Sequence, residues 1–221
     1  MKLTIDKTIT DKVPSFNVIA YTMEVENAKT KLVDEYLAAL SQEYFNKYDM
    51  TEIVNIPKLK ETRDGYKKLG KDPSHTRPAC EALLRRTVKG TGLYRLGDII
   101  DLGNVLSLLT LRSVCVVDAD KLVGDINIRI GKDNEPYEGI NRGFINITNL
   151  PVYEDEIGPF GTPTSDTYRT MVNDKTTKIF IMIICFSQQE IEKDENLLLA
   201  LYQKYASAQS IKKIEVTYGK F

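Results

Sequence analysis

Apolar residues recur every three to four positions in five stretches of the chain, and this spacing predicts amphipathic helices. The same pattern predicts helices within 58–72, ending at Gly70, from Thr76 to Gly90, within 94–111 and within 188–209. The clearest stretch, 29–48, places one set of apolar side chains on a single helical face: Leu32, Val33, Tyr36, Leu37, Leu40, Tyr44 and Phe45.

Runs rich in β-branched and aromatic residues predict strands between these helices. Residues 151–170 contain three prolines and two glycines, which predicts a long irregular loop of the kind that often carries a binding site. Together the elements indicate an α+β fold, a mixed sheet with packed helices, and we expect one domain over residues 1–221. The predicted strands are 13–26, 113–118, 125–130, 144–148, 178–186 and 212–221.

The segment DPSHTRPACEALLRR, residues 72–86, carries the only histidine of the chain. Pro78 suits a first helical turn and Thr76 is the predicted N-cap. His75 has no second histidine for a metal site and no nucleophile at a recognisable spacing, so we assign it to the helix entry or the surface. The predicted buried stripe of this helix is Ala79, Ala82, Leu83 and Leu84.

Asp101 and Asn104 are the most prominent polar pair, because helical spacing points them together from an otherwise apolar helix. Burying a carboxylate beside an amide costs several kcal/mol unless both groups are hydrogen-bonded. The pair therefore either contacts a ligand or forms a structural network with the backbone of a neighbouring loop.

The formal net charge of −1 gives the chain no global attraction to polyanions, so any contact with nucleic acid must come from a local basic patch. Ammonium and guanidinium groups suit phosphate, although a solvated helix face gives the same pattern. The candidate RNA-binding residues are Lys71, Arg77, Arg85 and Arg86, with Lys67 and Lys68 nearby.

Tyr168, Arg169 and Thr170 follow the predicted loop. An aromatic ring, a guanidinium fork and a hydroxyl would suit a nucleotide or an amino-acid ligand. We therefore add these three residues to Asp101 and Asn104 as candidate substrate-binding residues.

Composition indicates a cytoplasmic protein without a metal or cofactor. Cys80, Cys115 and Cys185 are widely spaced and form no C-x-x-C pair, which is typical of reduced core residues. The N-terminal MKLTIDKTIT shows no secretory signal, and the longest apolar run, 179–186, is far too short to span a membrane.

The order of several motifs resembles the fused third and fourth B modules of the bacterial phenylalanine-tRNA synthetase β subunit, and specifically their free-standing relatives. The resemblance covers about 60–190, and we treat these residues as the matched part of the predicted single domain. The motifs are RDGYKKLGKDPSHTRPACEALLRR from Arg63, IIDLGNVLSL from Ile99, VVDADKLVGDINIR from Val116, PVYEDE from Pro151 and YRTMVNDKTTKIFI from Tyr168.

This resemblance implies an α+β domain whose pocket hydrolyses tyrosine wrongly attached to phenylalanine tRNA. By the same resemblance, Asp101 and Asn104 match the family's D-x-x-N helix beside that pocket. The chain departs from the family where Cys115 replaces a histidine, where Gly103 replaces a threonine, and around 159–170, where a glycine-rich stretch with a glutamate is replaced. The synthetase's ATP-binding motifs and its α-subunit partner are not supplied by these residues, so aminoacylation is not expected.

Two functions follow as hypotheses. In the first, the cleft binds the aminoacylated 3′ end of a tRNA and directs water onto its ester, with Asn104 orienting the reacting groups and Lys71, Arg85 and Arg86 contacting phosphate. In the second, the pocket binds a free aromatic amino acid without catalysis. A purely structural module is a third interpretation, and a cleft lined by Asn104, Tyr168 and Arg169 beside the basic helix would count against it.

Overall fold

The computed structural model describes residues 1–219. The helices are α1 (Lys7–Lys12), α2 (Lys31–Lys47), α3 (Pro57–Leu69), α4 (Ala79–Val88), α5 (Asp98–Thr110) and α6 (Ile191–Tyr205). Helices α2 to α5 follow one another without an intervening strand, and most helix bounds fall inside the stretches of helical periodicity.

The strands form two larger sheets and one short hairpin. One sheet has the order β11-β1-β4-β7-β8, with β1 parallel to both β4 and β11. The second is antiparallel with the order β10-β2-β9-β3, and β5 pairs with β6 in the hairpin. The strands are β1 (Leu3–Asp6), β2 (Asn17–Glu24), β3 (Val114–Asp118), β4 (Ile126–Ile130), β5 (Glu138–Gly139), β6 (Gly143–Phe144), β7 (Pro151–Glu154), β8 (Pro159–Gly161), β9 (Lys178–Cys185), β10 (Gln209–Lys213) and β11 (Val216–Gly219).

Strand β9 shows how the layers are arranged. Its side chains alternate: Phe180 and Met182 pack with the five-stranded sheet, whereas Ile181 and Ile183 pack with the helices. Because β9 is buried on both faces, its sequence is a continuous apolar run, as predicted. The molecule thus has a helical layer, a four-stranded sheet and a five-stranded sheet, which confirms the α+β class with packed helices.

Local interactions fix the start of α2 and the end of α3, whereas a tertiary contact fixes the start of α4. The Thr30 hydroxyl caps α2 by accepting a hydrogen bond from the Val33 backbone N–H. Gly70 ends α3 as predicted, with φ +97°. The predicted N-cap of α4 at Thr76 is wrong. The helix begins after Pro78, and the backbone N–H of Ala79 donates to the Pro163 carbonyl at 2.8 Å.

The predicted buried stripe of α4 is also largely wrong. Ala82 is exposed and Leu83 is half-buried, because the helix is rotated so that a different set faces the interior. The buried residues are Cys80, Glu81, Leu84 and Thr87. The apolar pattern could not predict that Glu81 is buried, because an ion pair with Arg63 offsets the cost of burying its carboxylate.

One loop prediction and two strand predictions need correction. Residues 151–170 were predicted as an irregular loop, but they contain β7, which pairs with β4, and β8, which pairs with β7. In 144–148 only Phe144 belongs to a strand. The closing segment 212–221 is not one strand: β10 and β11 pair in different sheets, and residues 220–221 lie outside the described residues.

Candidate functional site

Asp101 is fully buried near the start of α5 and binds the loop that precedes its own helix. Its carboxylate accepts the backbone N–H groups of Leu96 and Gly97, each at 3.1 Å, and forms an ion pair with Arg95. Asn104 is half-buried in the same helix and forms no side-chain hydrogen bond with residues 1–219. Of the two residues, only Asp101 therefore forms the hydrogen-bonded network with a neighbouring loop that a structural role of the pair would require.

Tyr168, Arg169 and Thr170 form a short 3₁₀ turn that contacts β8. The Tyr168 hydroxyl donates to the Asn141 side chain at 3.0 Å, and Thr170 is buried. Arg169 donates to both oxygens of Asp155, at 2.8 and 3.0 Å, which lowers the pKa of that carboxyl group against the opposing effect of its burial.

The structure does not bring Asn104 to Arg169. Helix α5 packs on the face of β3 that carries Val116, since a Cβ on Gly103 would lie 2.8 Å from the Val116 Cγ2 atom. The 168–170 turn lies instead with the five-stranded sheet, on the other side of β3. The two groups of candidate substrate-binding residues therefore do not line a shared cleft.

Three arginines surround the buried carboxylate of Glu81 on α4. Its oxygens lie 2.9 Å from Arg63, 2.8 Å from Arg85 and 3.5 Å from Arg77. One glutamate cannot neutralise three guanidinium groups, so this arginine cluster (Arg63, Arg77 and Arg85) retains two surplus positive charges. Arg77 is its most exposed member, at 44% of its side chain.

The other two predicted RNA-binding residues lie apart from each other. Lys71, just after α3, donates to the Asn146 carbonyl at 2.8 Å, and partial burial lowers its pKa. Arg86, near the end of the helix, stacks its guanidinium group 3.9 Å above the ring of Tyr94. His75 is exposed and bonded to Asp72 at 2.6 Å, in agreement with a surface role.

A second set of polar side chains lies between the two sheets. We call it the inter-sheet polar cluster: Cys115 on β3, Tyr137, Tyr153 on β7 and Asp166. A Cβ on Gly161 would lie 2.7 Å from both the Asp166 Oδ1 atom and the Tyr153 Cδ2 atom, so glycine allows this close approach. Tyr137 donates its hydroxyl to the Ser165 carbonyl at 2.6 Å.

Burial dominates the electrostatics of this cluster. It raises the pKa of Asp166 to about 7, an effect that interaction with the Cys115 thiol only partly offsets. Burial also raises the pKa values of Cys115 and Tyr153, which keeps both groups protonated. The Tyr153 hydroxyl has no hydrogen-bond partner among the described residues, and such a group costs roughly 1–3 kcal/mol.

Segment 162–166 connects the inter-sheet polar cluster to the arginine cluster. Pro163 receives the first backbone N–H of α4, and Thr164 shares a hydrogen bond of 3.1 Å with Tyr66, one turn after Arg63 on α3. Asp166 ends the same segment, where its carbonyl accepts from Ile140 of the hairpin connection. This segment therefore links α3 and the start of α4 to the polar cluster.

Sequence analysis missed Tyr137, Tyr153, Asp166 and Arg63. The first three come from separate parts of the chain and share no motif, so only the sheet topology brings them together. Cys115 was the one available signal, because it replaces a histidine of the family pattern. Within residues 1–219, no three His, Cys, Asp or Glu side chains are grouped so as to hold a metal ion, and no helix is long and apolar enough to cross a membrane.

The fold places the chain among α+β domains of the kind found in synthetase β subunits. It superimposes on an N-terminal fragment of the phenylalanyl-tRNA synthetase β subunit from Pyrococcus horikoshii with a TM-score of 0.53, over 98% of this chain and 52% of that chain. Sequence identity in that comparison is 11%, so the likeness concerns the fold.

Sequence comparison identifies the family. The family model for the B3/4 domain matches residues 61–214, and the chain belongs to the B3/4 domain family. It is also 26% identical over 113 residues to a phenylalanine–tRNA ligase beta subunit from Fusobacterium nucleatum subsp. nucleatum. That match covers 50% of this chain but only 14% of the relative, which is therefore a much longer protein.

Proposed function

We propose that this B3/4 domain binds tRNA and hydrolyses the ester of a mischarged aminoacyl-tRNA, as a single domain over residues 1–221 and without aminoacylation activity. The arginine cluster would hold the phosphates near the 3′ end. The inter-sheet polar cluster would receive the aminoacyl group. The names of the matched synthetase β subunits support the RNA partner, and the residues of this chain support the placement of each group.

The observation that carries the proposal is the surplus positive charge of the arginine cluster, which segment 162–166 links to the half-buried Asp166. Arg63, Arg77 and Arg85 share one counter-ion, so they attract a phosphate without leaving Glu81 unpaired. Forked guanidinium groups bind phosphate oxygens in pairs. A backbone held there would bring the end of the RNA to the segment that carries Asp166.

The chemistry that we propose uses Asp166 as general base. Its carboxylate would take a proton from a water molecule whose oxygen attacks the ester carbonyl carbon. As the tetrahedral intermediate collapses, the carbon–oxygen bond to the tRNA ribose would break, and the protonated Asp166 would return its proton to the leaving ribose oxygen, which restores the carboxylate. The Tyr153 hydroxyl, which lacks a partner, would donate to the developing oxyanion. A carboxyl group with a pKa near 7 matches such proton transfer at neutral pH.

This proposal gives Asp101 and Asn104 a different place from the family expectation. Asp101 holds the 95–97 loop, and Asn104 lies on the face of the four-stranded sheet opposite to Cys115. Arg169 is bonded to Asp155, so we propose that it fixes the turn on which Tyr168 and Thr170 lie. Direct substrate contact at Asn104 is the competing hypothesis, and an Asn104→Ala variant separates the two.

The alternative function is binding of a free aromatic amino acid without RNA. The observation that favours it is the Tyr153 hydroxyl, because an unpartnered buried phenol would bind a polar group of any small ligand. Unlike the first proposal, this alternative does not require the arginine cluster. Calorimetric titration with tyrosine and phenylalanine in the absence of RNA tests it.

The RNA contact is tested by measuring tRNA affinity against salt concentration for the full chain, Arg77→Ala and Lys7→Ala. Arg77 is in the arginine cluster, and Lys7 is an exposed cation on α1 that serves as the control. We expect Arg77→Ala to weaken binding and to reduce the slope of log K against log salt by a little under one, with a wild-type slope for Lys7→Ala. Equal slopes for all three proteins would contradict the proposed interface.

A further inference from the structure

The end of α4 carries an exposed aromatic ring with a cation stacked on it. Tyr94 is 64% exposed, and the Arg86 guanidinium lies 3.9 Å from its ring centroid. Among the described residues the Arg86 Nε atom has no hydrogen-bond partner, and Arg86 has no ion pair with a carboxylate. The arginine is therefore held by the ring, and its charge is not cancelled locally.

A surface cavity of about 420 Å³ opens beside this end of α4, between α2 and the connection to α5. Leu37, Leu93 and the half-exposed ring of Phe45 give it apolar walls, and Gln42 adds an amide group. At Gly92, in the same wall, an added Cβ would meet no atom within 4 Å, so the cavity is open there. Asp34 and Arg95, which form an ion pair of 3.3 Å, also line it. Its volume and its mixture of apolar, amide and paired charged groups fit a flat heteroaromatic ring.

Helix α4 joins this cavity to the arginine cluster. Arg85 points toward Glu81, whereas its neighbour Arg86 points toward Tyr94, so consecutive arginines serve the two sites. The ten residues of α4 extend about 15 Å. Positive charge thus continues along the helix from Arg77 to the exposed ring. This row of charges is complementary to a polyanionic strand rather than to an apolar peptide.

We propose that Tyr94 and Arg86 form a stacking platform for an unpaired nucleobase of a bound RNA strand, with the base entering the cavity beside Phe45. This inference rests on the proposed RNA-binding function and adds a second contact, at the opposite end of α4 from Arg77. Stacking on an aromatic ring is tolerant of base identity, because every base presents a π face. The contact would therefore add affinity with little sequence preference.

The test uses a single-stranded RNA about ten nucleotides long that carries one fluorescent 2-aminopurine. Titration with the full chain is expected to quench the fluorescence as the base stacks. Tyr94→Ala is expected to weaken binding by about 5- to 150-fold and to abolish the quenching, while Tyr94→Phe retains both. Tyr218→Ala, which removes another exposed tyrosine on β11, is the matched control and is expected to bind like the wild type.

The outcomes separate this inference from the proposed function. Wild-type affinity and quenching in Tyr94→Ala, together with weakened binding in Arg77→Ala, would overturn the platform and leave the RNA interface intact. Absence of RNA binding by the full chain would overturn both. Because the Tyr94 ring is largely exposed, circular dichroism is expected to show an unchanged fold for Tyr94→Ala.

Discussion

At the scale of single residues, the burial of Asp166 opposes the ionised state that the proposed chemistry requires. Between the sheets its carboxylate loses hydration, and interaction with the neighbouring Cys115 thiol offsets only part of the resulting rise in pKa. A group that is ionised at pH 4 in an unfolded chain is therefore protonated in the fold until about pH 7. A buried carboxyl group of this kind costs stability at neutral pH, and such costs are often found at functional sites.

Replacement of Asp166 by asparagine should therefore stabilise the protein in a pH-dependent manner. Because burial raises the pKa of Asp166, the contribution of this residue to the stability of the wild type is most favourable below about pH 4 and becomes less favourable as the pH rises toward 7. Asparagine does not titrate, so Asp166→Asn should equal the wild type near pH 4 and exceed it by roughly 1–4 kcal/mol at pH 8. Denaturant unfolding at the two pH values measures this, and a wild type that is the more stable protein at pH 8 would contradict it.

At the scale of elements, the contact between α5 and β3 depends on Gly103. This glycine lets α5 approach Val116 and the Tyr202 hydroxyl closely. The Tyr202 hydroxyl then donates to the Ile99 carbonyl at 2.8 Å, which joins α6 to α5. A side chain at position 103 would force these three elements apart.

Gly103→Thr, which introduces the residue expected from the family resemblance, should accordingly destabilise the fold. The first added carbon would lie 2.8 Å from Val116 Cγ2, and overpacking of this kind typically costs 1–3 kcal/mol, a range that we take as a rough expectation here. The double variant with Val116→Ala should recover part of the loss, because it removes the clashing methyl group. Thermal unfolding of both variants checks this, and an undiminished melting temperature for Gly103→Thr would show that the helix can shift.

The elements differed in how well their sequences predicted them. Helices α2, α3 and α5 and strand β9 were readable, since each buries a face or a whole run that its own apolar pattern specifies. Prolines and glycines hid strands β7 and β8, because β7 is stabilised by pairing with the more distant β4 and β8 depends on β7. The burial of Glu81 in α4 was equally unreadable, since it depends on Arg63 from another helix.

At the scale of the whole molecule, segment 162–166 links a cationic helix to a half-buried carboxyl group that lies between the two sheets. The basic residues could be predicted from the sequence, because four of them lie within 71–86. The inter-sheet polar cluster could not, since Cys115, Tyr137, Tyr153 and Asp166 become neighbours only when the sheets pack. The function that we propose requires both parts, so it belongs to the assembled fold and not to any one motif.

The most direct test of this account is the rate at which the full chain deacylates tyrosine-charged phenylalanine tRNA, measured from pH 5.5 to 8.5 for the wild type, Asp166→Asn and Asn104→Ala. We expect acceleration over a protein-free control, a rate that rises with pH and levels off above about 7, and a roughly 100-fold or greater loss in Asp166→Asn. Asn104→Ala should remain close to the wild type. Absence of acceleration on this and other mischarged tRNAs, or full activity in Asp166→Asn, would contradict the account.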